Sequence, residues 1–417
     1  MSLGAVGAAV LMLGMQSGTE VPYAPMLAPE PGASVCPEGI CGVEALEGVF
    51  EALAATEAEA RDRPVHILQI GDSHTAGDRI TGALRARLQG RFGAGGRGVL
   101  PPGVPYAGYG PMQVEVTATD WPMRTDILAA GRIPMTVGFT GSEADVTDGA
   151  VLSLVLEPSA VFDQVQICGE GWLADGELSL SGSTQTQTMR FSGPEGDIWR
   201  QTCETAVFDM PQARLDIRPR GRLKLHDVRL TRRAAGVELS NLGVVGGTMQ
   251  DLALREGSLM RIEVEAWKPD LIVVAFGVNE GFAPALDPAE YEGWMTGVLA
   301  SLSLAGADAS ILILGAPEGL KSEEDGPCGG RVAPASLAVV RDVQRRVAAE
   351  AGVAFWDWYG RMGGDCSAER LATMPEPYMR PDRVHFTSIG AEWIGGVLSD
   401  DLMGAYDRWK AAKGEAD

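Results

Sequence analysis

Apolar positions along this chain follow three textures. Continuous apolar runs at residues 65–70 (VHILQI), 237–244 (VELSNLGV), 271–276 (LIVVAF), 311–315 (ILILG) and 354–358 (AFWDW) predict strands buried on both faces. Apolar residues at helical spacing predict helices over 43–62, 78–90 (Ile80, Leu84 and Leu88 on one face), 288–304 and 336–351, with others starting near 249 and 387. Strand–helix alternation implies an α/β fold, a parallel sheet with helices on both faces in three layers. Between residues 106 and 234 the period falls to two. Short segments such as QVEVTAT, MTVGFTG, AVLSLVL, FDQVQIC, GELSLSG and LKLHDVRL alternate, with turn residues between them. That texture predicts an all-β, jelly-roll-like insert interrupting the α/β domain after its first strand and helix. The α/β domain is thus expected over 44–105 and 235–412, and the insert over 106–234.

The N-terminal stretch changes the picture. Residues 1–20 carry the apolar run LGAVGAAVLMLGM, shorter than a membrane span but suited to the core of a secretory signal. Residues 21–43 are rich in Pro and Gly and read as an irregular arm. The six cysteines form no CxxC pair, so a zinc or thioredoxin-like site is not indicated. Their neighbour pairing would be 36–41, 168–203 and 328–366, and a disulfide-bearing protein is expected in the periplasm or outside the cell. A net charge of −22 argues against nucleic acid or an anionic membrane surface as partner.

Candidate chemistry begins at Gly71-Asp72-Ser73-His74, where the first apolar run stops and a helix pattern follows. A serine there lies at the carboxyl end of a buried strand, where open α/β sheets place their sites. Gly-Asp-Ser alone also fits a simple helix cap. The chain has four histidines. His66 lies inside a strand, His74 adjoins Ser73, and His226 lies in the insert. That leaves His385 as the candidate base, with Asp382 three residues earlier to hold its other nitrogen. The glycine-rich stretch 92–102 lacks the Lys-Ser/Thr ending of a phosphate loop and is expected to be a site-lining or close-packed loop. In the insert, Trp121, Trp172 and Trp199 could stack on sugar rings or fill the core. Arg214, Arg218, Arg220, Arg222, Lys224, Arg229, Arg232 and Arg233 read as a solvated sheet face or, less simply, an anionic-glycan site.

Taken together, Gly-Asp-Ser-His at 71–74, Gly-Val-Val-Gly-Gly-Thr at 243–248, Gly-Val-Asn-Glu at 277–280 and Asp-Arg-Val-His at 382–385 resemble the four blocks of the SGNH (GDSL-type) hydrolase superfamily. The stretch 71–98, with a long β-rich insert after it, most resembles the peptidoglycan O-acetylesterases. The resemblance implies Ser73 as nucleophile, His385 and Asp382 as its partners, and Ser73, Gly246 and Asn279 as oxyanion donors. Among their neighbours, His74, Thr75, Gly247 and Glu280 are expected to contact substrate. It further implies removal of O-acetyl groups from a cell-envelope glycan without metal or organic cofactor. The same triad would serve an O-acetyltransferase, and a glycan-binding protein without catalysis is a third reading. Two positions depart from the family pattern: Val278 stands where a threonine is expected, and Arg383 where a glycine is.

Overall fold

The five continuous apolar runs form one sheet. The computed structural model describes residues 28–125, 137–171, 176–191, 200–306 and 308–414. The chain divides into residues 1–30 and a single compact unit, 31–417. Strand order in the central sheet is Ile40–Cys41, Ala354–Trp356, Ser310–Leu314, Leu271–Ala275, Val65–Gly71, Val237–Gly243. All neighbours are parallel except the first pair. Winding therefore starts at Val65–Gly71, steps to one side, then reverses and runs to the other. The first strand sits at the switch, where crevices open at the carboxyl ends.

Alternate side chains serve opposite layers. Ile67, Leu239 and Val273 pack against helices Glu47–Glu57, Arg79–Phe92 and Ser388–Gly414. Leu68, Ile70, Ile272 and Val274 pack against helices Gly257–Trp267, Pro288–Ala305 and Ala335–Ala351. This is the three-layer α/β/α arrangement expected above. His66 is one of the buried strand residues, lying between Ser240 Oγ (2.7 Å) and the Trp267 carbonyl (3.2 Å).

The insert is two antiparallel sheets over a shared apolar core that includes Leu154, Phe162, Phe208 and Leu230. Three expectations change. The glycine-rich stretch 92–102 is not only a loop: Gly96–Leu100 is a strand, paired with Val228–Thr231 in the insert's larger sheet. A Cβ at Gly98 would come within 2.6 Å of Ser240 Oγ, so glycine here permits close approach to the central sheet. The segment MTVGFTG supplies no strand in its described part, 137–141; Phe139 joins the α/β core instead, and its N–H donates to Glu263 at 2.7 Å. The arm also ends in structure, because Ile40–Cys41 adds an antiparallel edge strand.

Disulfides join Cys36–Cys41, Cys168–Cys203 and Cys328–Cys366, the neighbour pairing. Trp121 is core, with Nε1 donating to the Pro102 carbonyl at 2.6 Å. Trp172 and Trp199, like the apolar run at 1–20, lie outside the described residues. The insert's arginines are mostly ion-paired: Arg214 and Arg218 with Asp216, Arg220 with Glu177, Arg222 with Asp145, Arg229 with Glu238 and Arg233 with Asp163. Apart from Arg229, which is buried against Glu238 and the Trp267 carbonyl, they form a charge-balanced face. Among the described residues, no helix is long and apolar enough to cross a membrane.

Candidate active site

Sheet register brings three turns together. Gly71 is level with Gly243 on one side and Ala275 on the other. Ser73, Gly246 and Asn279 follow these positions within four residues, so all three emerge at one edge. The ladder continues past the strand ends: Asp72 N–H donates to the Ala275 carbonyl at 3.2 Å, and Val244 N–H to the Gly71 carbonyl at 2.9 Å. Ser73 opens the one-turn helix Ser73–Ala76, capped by the Asp72 carboxylate on His74 N–H at 2.9 Å.

A fourth element arrives from the far end of the chain. Residues 378–387 fold back on themselves, with Arg380 N–H on the His385 carbonyl (2.7 Å) and Thr387 N–H on the Tyr378 carbonyl (3.0 Å). Asp382 and His385 lie at the tip. Asp382 Oδ1 accepts the N–H groups of Val384 (2.9 Å) and His385 (3.0 Å), while Oδ2 meets His385 Nδ1 at 2.9 Å. His385 Nε2 then lies 2.9 Å from Ser73 Oγ. Partial burial works against the Asp382 charge, but those N–H groups and the imidazole outweigh it and lower the carboxyl pKa. The hydroxyl, imidazole and carboxylate thus stand in the linear order that general-base activation of a serine requires.

Arg383 explains its own departure from the family pattern. Its φ is +56°, a left-handed conformation that favours glycine. Arginine tolerates it here because the guanidinium grips Glu369 through Nε (2.8 Å) and a terminal nitrogen (3.1 Å). Glu369 belongs to helix Ser367–Ala372, whose first turn is held by the Glu318 carboxylate and by the adjoining Cys328–Cys366 bridge.

Of the glycines at 243, 246 and 247, Gly246 occupies the turn position that needs positive φ (+76°), in the turn closed by Gly247 N–H on the Val244 carbonyl at 2.9 Å. Neither Gly246 N–H nor Ser73 N–H has a protein acceptor among the described residues. Asn279 Nδ2 donates to the Gly247 carbonyl at 2.8 Å, which fixes the amide against that turn and leaves its second hydrogen available.

The four neighbours expected to touch substrate behave otherwise. Thr75 is buried and accepts from Gln69 Nε2 (3.1 Å) through its hydroxyl. Gly247 is occupied on both sides, by Val244 and Asn279. Glu280 is buried, with Oε1 accepting Met249 N–H at 2.6 Å and Oε2 without a partner among the described residues. Burial pushes its carboxyl up to about 7. All three shape the floor of the site instead of facing the cleft.

His74 reaches the cleft wall but is 7% exposed, and both its nitrogens are engaged: Nδ1 with Asp72 Oδ1 (3.2 Å) and Nε2 with the Val384 carbonyl (2.8 Å). Its ring stacks on His385, 5.4 Å between centroids. Both partners are acceptors, a geometry that suits the doubly protonated ring. Burial opposes that charge, yet Asp72 and the Val384 carbonyl overcome it and raise the pKa above the ordinary histidine value.

Ser73 and His385 open on a cleft of about 530 Å³, whose lining also includes Arg79, Ile80, Tyr106 and Arg380. Sequence reading missed Asp78, which organises one wall. It is buried and pairs with Arg85 (2.8 Å) and Arg97 (2.7 Å) while accepting Met112 N–H (2.8 Å). Burial disfavours its charge, but the two guanidinium groups hold its pKa at about 2. The loop thus anchored carries Tyr106, whose hydroxyl donates to the Ala76 carbonyl at 2.9 Å. The signal was present: a second acid in the same motif, followed by Arg85 and Arg97. Among the described residues, no cluster of three His, Cys, Asp or Glu side chains is placed to hold a metal ion.

Comparison with known proteins gives three results. A model of the GDSL-like lipase/acylhydrolase family matches residues 221–393, which include Gly246, Asn279, Asp382 and His385. Ser73 lies outside that stretch, which begins within the last strands of the insert. A solved peptidoglycan O-acetylesterase superposes with a TM-score of 0.76 at 26% identity, covering 87% of this chain and 96% of that one. An acetyl xylan esterase aligns at 23% identity over 39% of this chain and 79% of its own, with a TM-score of only 0.30. No match to the sequence was found among curated proteins.

Proposed function

We propose that the protein is an SGNH (GDSL-type) hydrolase working as an exported serine esterase that removes O-acetyl groups from peptidoglycan. The observation that carries the reading is the Ser73–His385–Asp382 alignment, with two contacts of 2.9 Å, between elements more than three hundred residues apart in sequence. The TM-score of 0.76 to a peptidoglycan O-acetylesterase supports the substrate class. Three disulfides support an oxidising compartment.

In this reading Ser73 Oγ attacks the acetyl carbonyl while His385 Nε2 takes its proton, and Asp382 stabilises the resulting imidazolium. The Ser73 and Gly246 N–H groups and the Asn279 amide receive the oxyanion. His385 returns the proton to the departing sugar oxygen, then activates the water that releases acetate from Ser73. Each oxyanion donor is expected to contribute about 100- to 1,000-fold in rate.

Acetate release from O-acetylated peptidoglycan, beside acetylated xylan, tests the proposal. Release from the first that Ser73→Ala abolishes is expected. Activity unchanged by that substitution would return the protein to a glycan-binding role, and acetyl groups appearing on an added glycan would make it an acetyltransferase.

A further inference from the structure

Arg79 is an anomaly in an acidic chain. The protein carries 56 acidic and 34 basic residues, and its arginines generally sit against carboxylates, as across the insert. Arg79 is exposed and makes no ion pair or hydrogen bond among the described residues. It is the first residue of helix Arg79–Phe92, next to the N-cap Asp78, whose carboxylate is taken up by Arg85 and Arg97 and so does not neutralise Arg79. Arg380, across the same cleft, uses Nε on the Phe386 carbonyl at 3.1 Å, and its two terminal nitrogens meet no protein acceptor among the described residues.

The rest of the cleft agrees in sign. None of its lining residues is Asp or Glu. The 27-residue helix Ser388–Gly414 also begins on the cleft, through Ser388 and Ala391, with no acid in its first turn. Two guanidinium groups without a carboxylate partner therefore line the same cleft as Ser73 and His385, in a molecule whose net charge is −22, while the nearby acids Asp78 and Asp382 are engaged by Arg85 and Arg97 and by His385. Such a surface binds a planar anion well, since a guanidinium matches a carboxylate with paired hydrogen bonds.

We infer that Arg79 and Arg380 form a carboxylate subsite, so that the preferred acetyl ester sits on a glycan bearing a free carboxylate near the acetylated position. This rests on the esterase reading for its substrate but not for the binding event. In peptidoglycan the carboxylate could belong to the acid sugar's own ether side chain or to the attached peptide.

Two fragments, one with peptide and one without, distinguish these sources when each is compared with its carboxylate-amidated form. For at least one fragment, the free acid is expected to be about 10- to 100-fold better in kcat/KM, the value of a charged hydrogen-bonded pair. Arg79→Gln is expected to collapse that ratio toward one, Arg79→Lys to restore part of it, and added salt to shrink it because Arg79 is exposed. Arg79 touches no other side chain by hydrogen bond, so its replacement does not threaten folding. Calorimetry with the deacetylated fragments supplies the independent arm. Carboxylate-dependent binding without any acetate release would leave the subsite standing and sink the esterase reading. A free-acid preference absent from both fragments, or untouched in Arg79→Gln, would overturn the subsite.

Discussion

Two aspartate–histidine pairs stand stacked beside Ser73, and they differ in what their outer nitrogens face. In the His385–Asp382 pair the side chains are 37% and 45% exposed, and Nε2 meets a hydroxyl. In the His74–Asp72 pair both are 3% exposed, and Nε2 meets the Val384 carbonyl. A hydroxyl can surrender a proton; a carbonyl can only accept one. The first pair can therefore cycle, while the second ties the Ser73 turn to the residue before His385. Reactivity resides in the partner of the second nitrogen, not in the pairing of imidazole with carboxylate.

The comparison can be broken most forcefully at the exposed pair. Asp382→Asn should keep the fold, because the amide oxygen can still accept backbone N–H groups, yet lower kcat by about 1,000- to 10,000-fold. An unchanged kcat in steady-state acetate assays would remove Asp382 from the mechanism. The buried pair predicts a smaller effect of another kind. His74→Gln should lower kcat by about 10- to 100-fold through displacement of His385, with little change in KM. It should also reduce stability by about 1–3 kcal/mol, since Asp72 loses a buried partner.

Sharper still is the pH dependence of that stability. His74 has a folded-state pKa raised above its unfolded value. Its charged pairing thus stabilises fully below the unfolded pKa, and this contribution is lost as pH rises through the folded one. Thermal melts of the unaltered protein and His74→Gln should lie furthest apart below about pH 6.5 and converge in alkaline buffer. A gap that widens with pH would contradict the imidazolium assignment. Smallest is the effect of Arg383→Gly: relief of a left-handed backbone and loss of the half-buried Glu369 pair should nearly cancel, within about 1 kcal/mol by denaturant titration. Glu369→Gln, which keeps the strain and removes the partner, should destabilise by about that amount.

Much of this architecture was written in local patterns. Each strand of the parallel sheet is a continuous apolar run, and Ser73 follows one of them closely; His385 emerged by elimination among four histidines, and Gly246 and Asn279 through resemblance to the family blocks. What escaped depends on contacts between distant segments. Gly96–Leu100 reads as a loop because its glycines answer to close neighbours, Gly98 to Ser240 and Gly96 to Leu230 and Thr231, not to an alternation of its own. Helix Gly257–Trp267 begins four residues after helix Met249–Ala253 ends, so the sequence reads as one helix from about 249 where the structure has two. The role of His74 is set by a carbonyl 310 positions away. Thr75 and Glu280 were placed in the cleft because they adjoin the blocks, but helix geometry turns successive side chains to different sides.

The Cys328–Cys366 bridge lies outside the cleft, yet it borders the helix whose Glu369 grips Arg383 on the His385 loop. The oxidant available during biosynthesis thereby becomes a variable in any assay of this protein. Material produced in a reducing host would carry the same hydroxyl and imidazole on a slacker hairpin, and its specific activity should recover when the thiols are allowed to close.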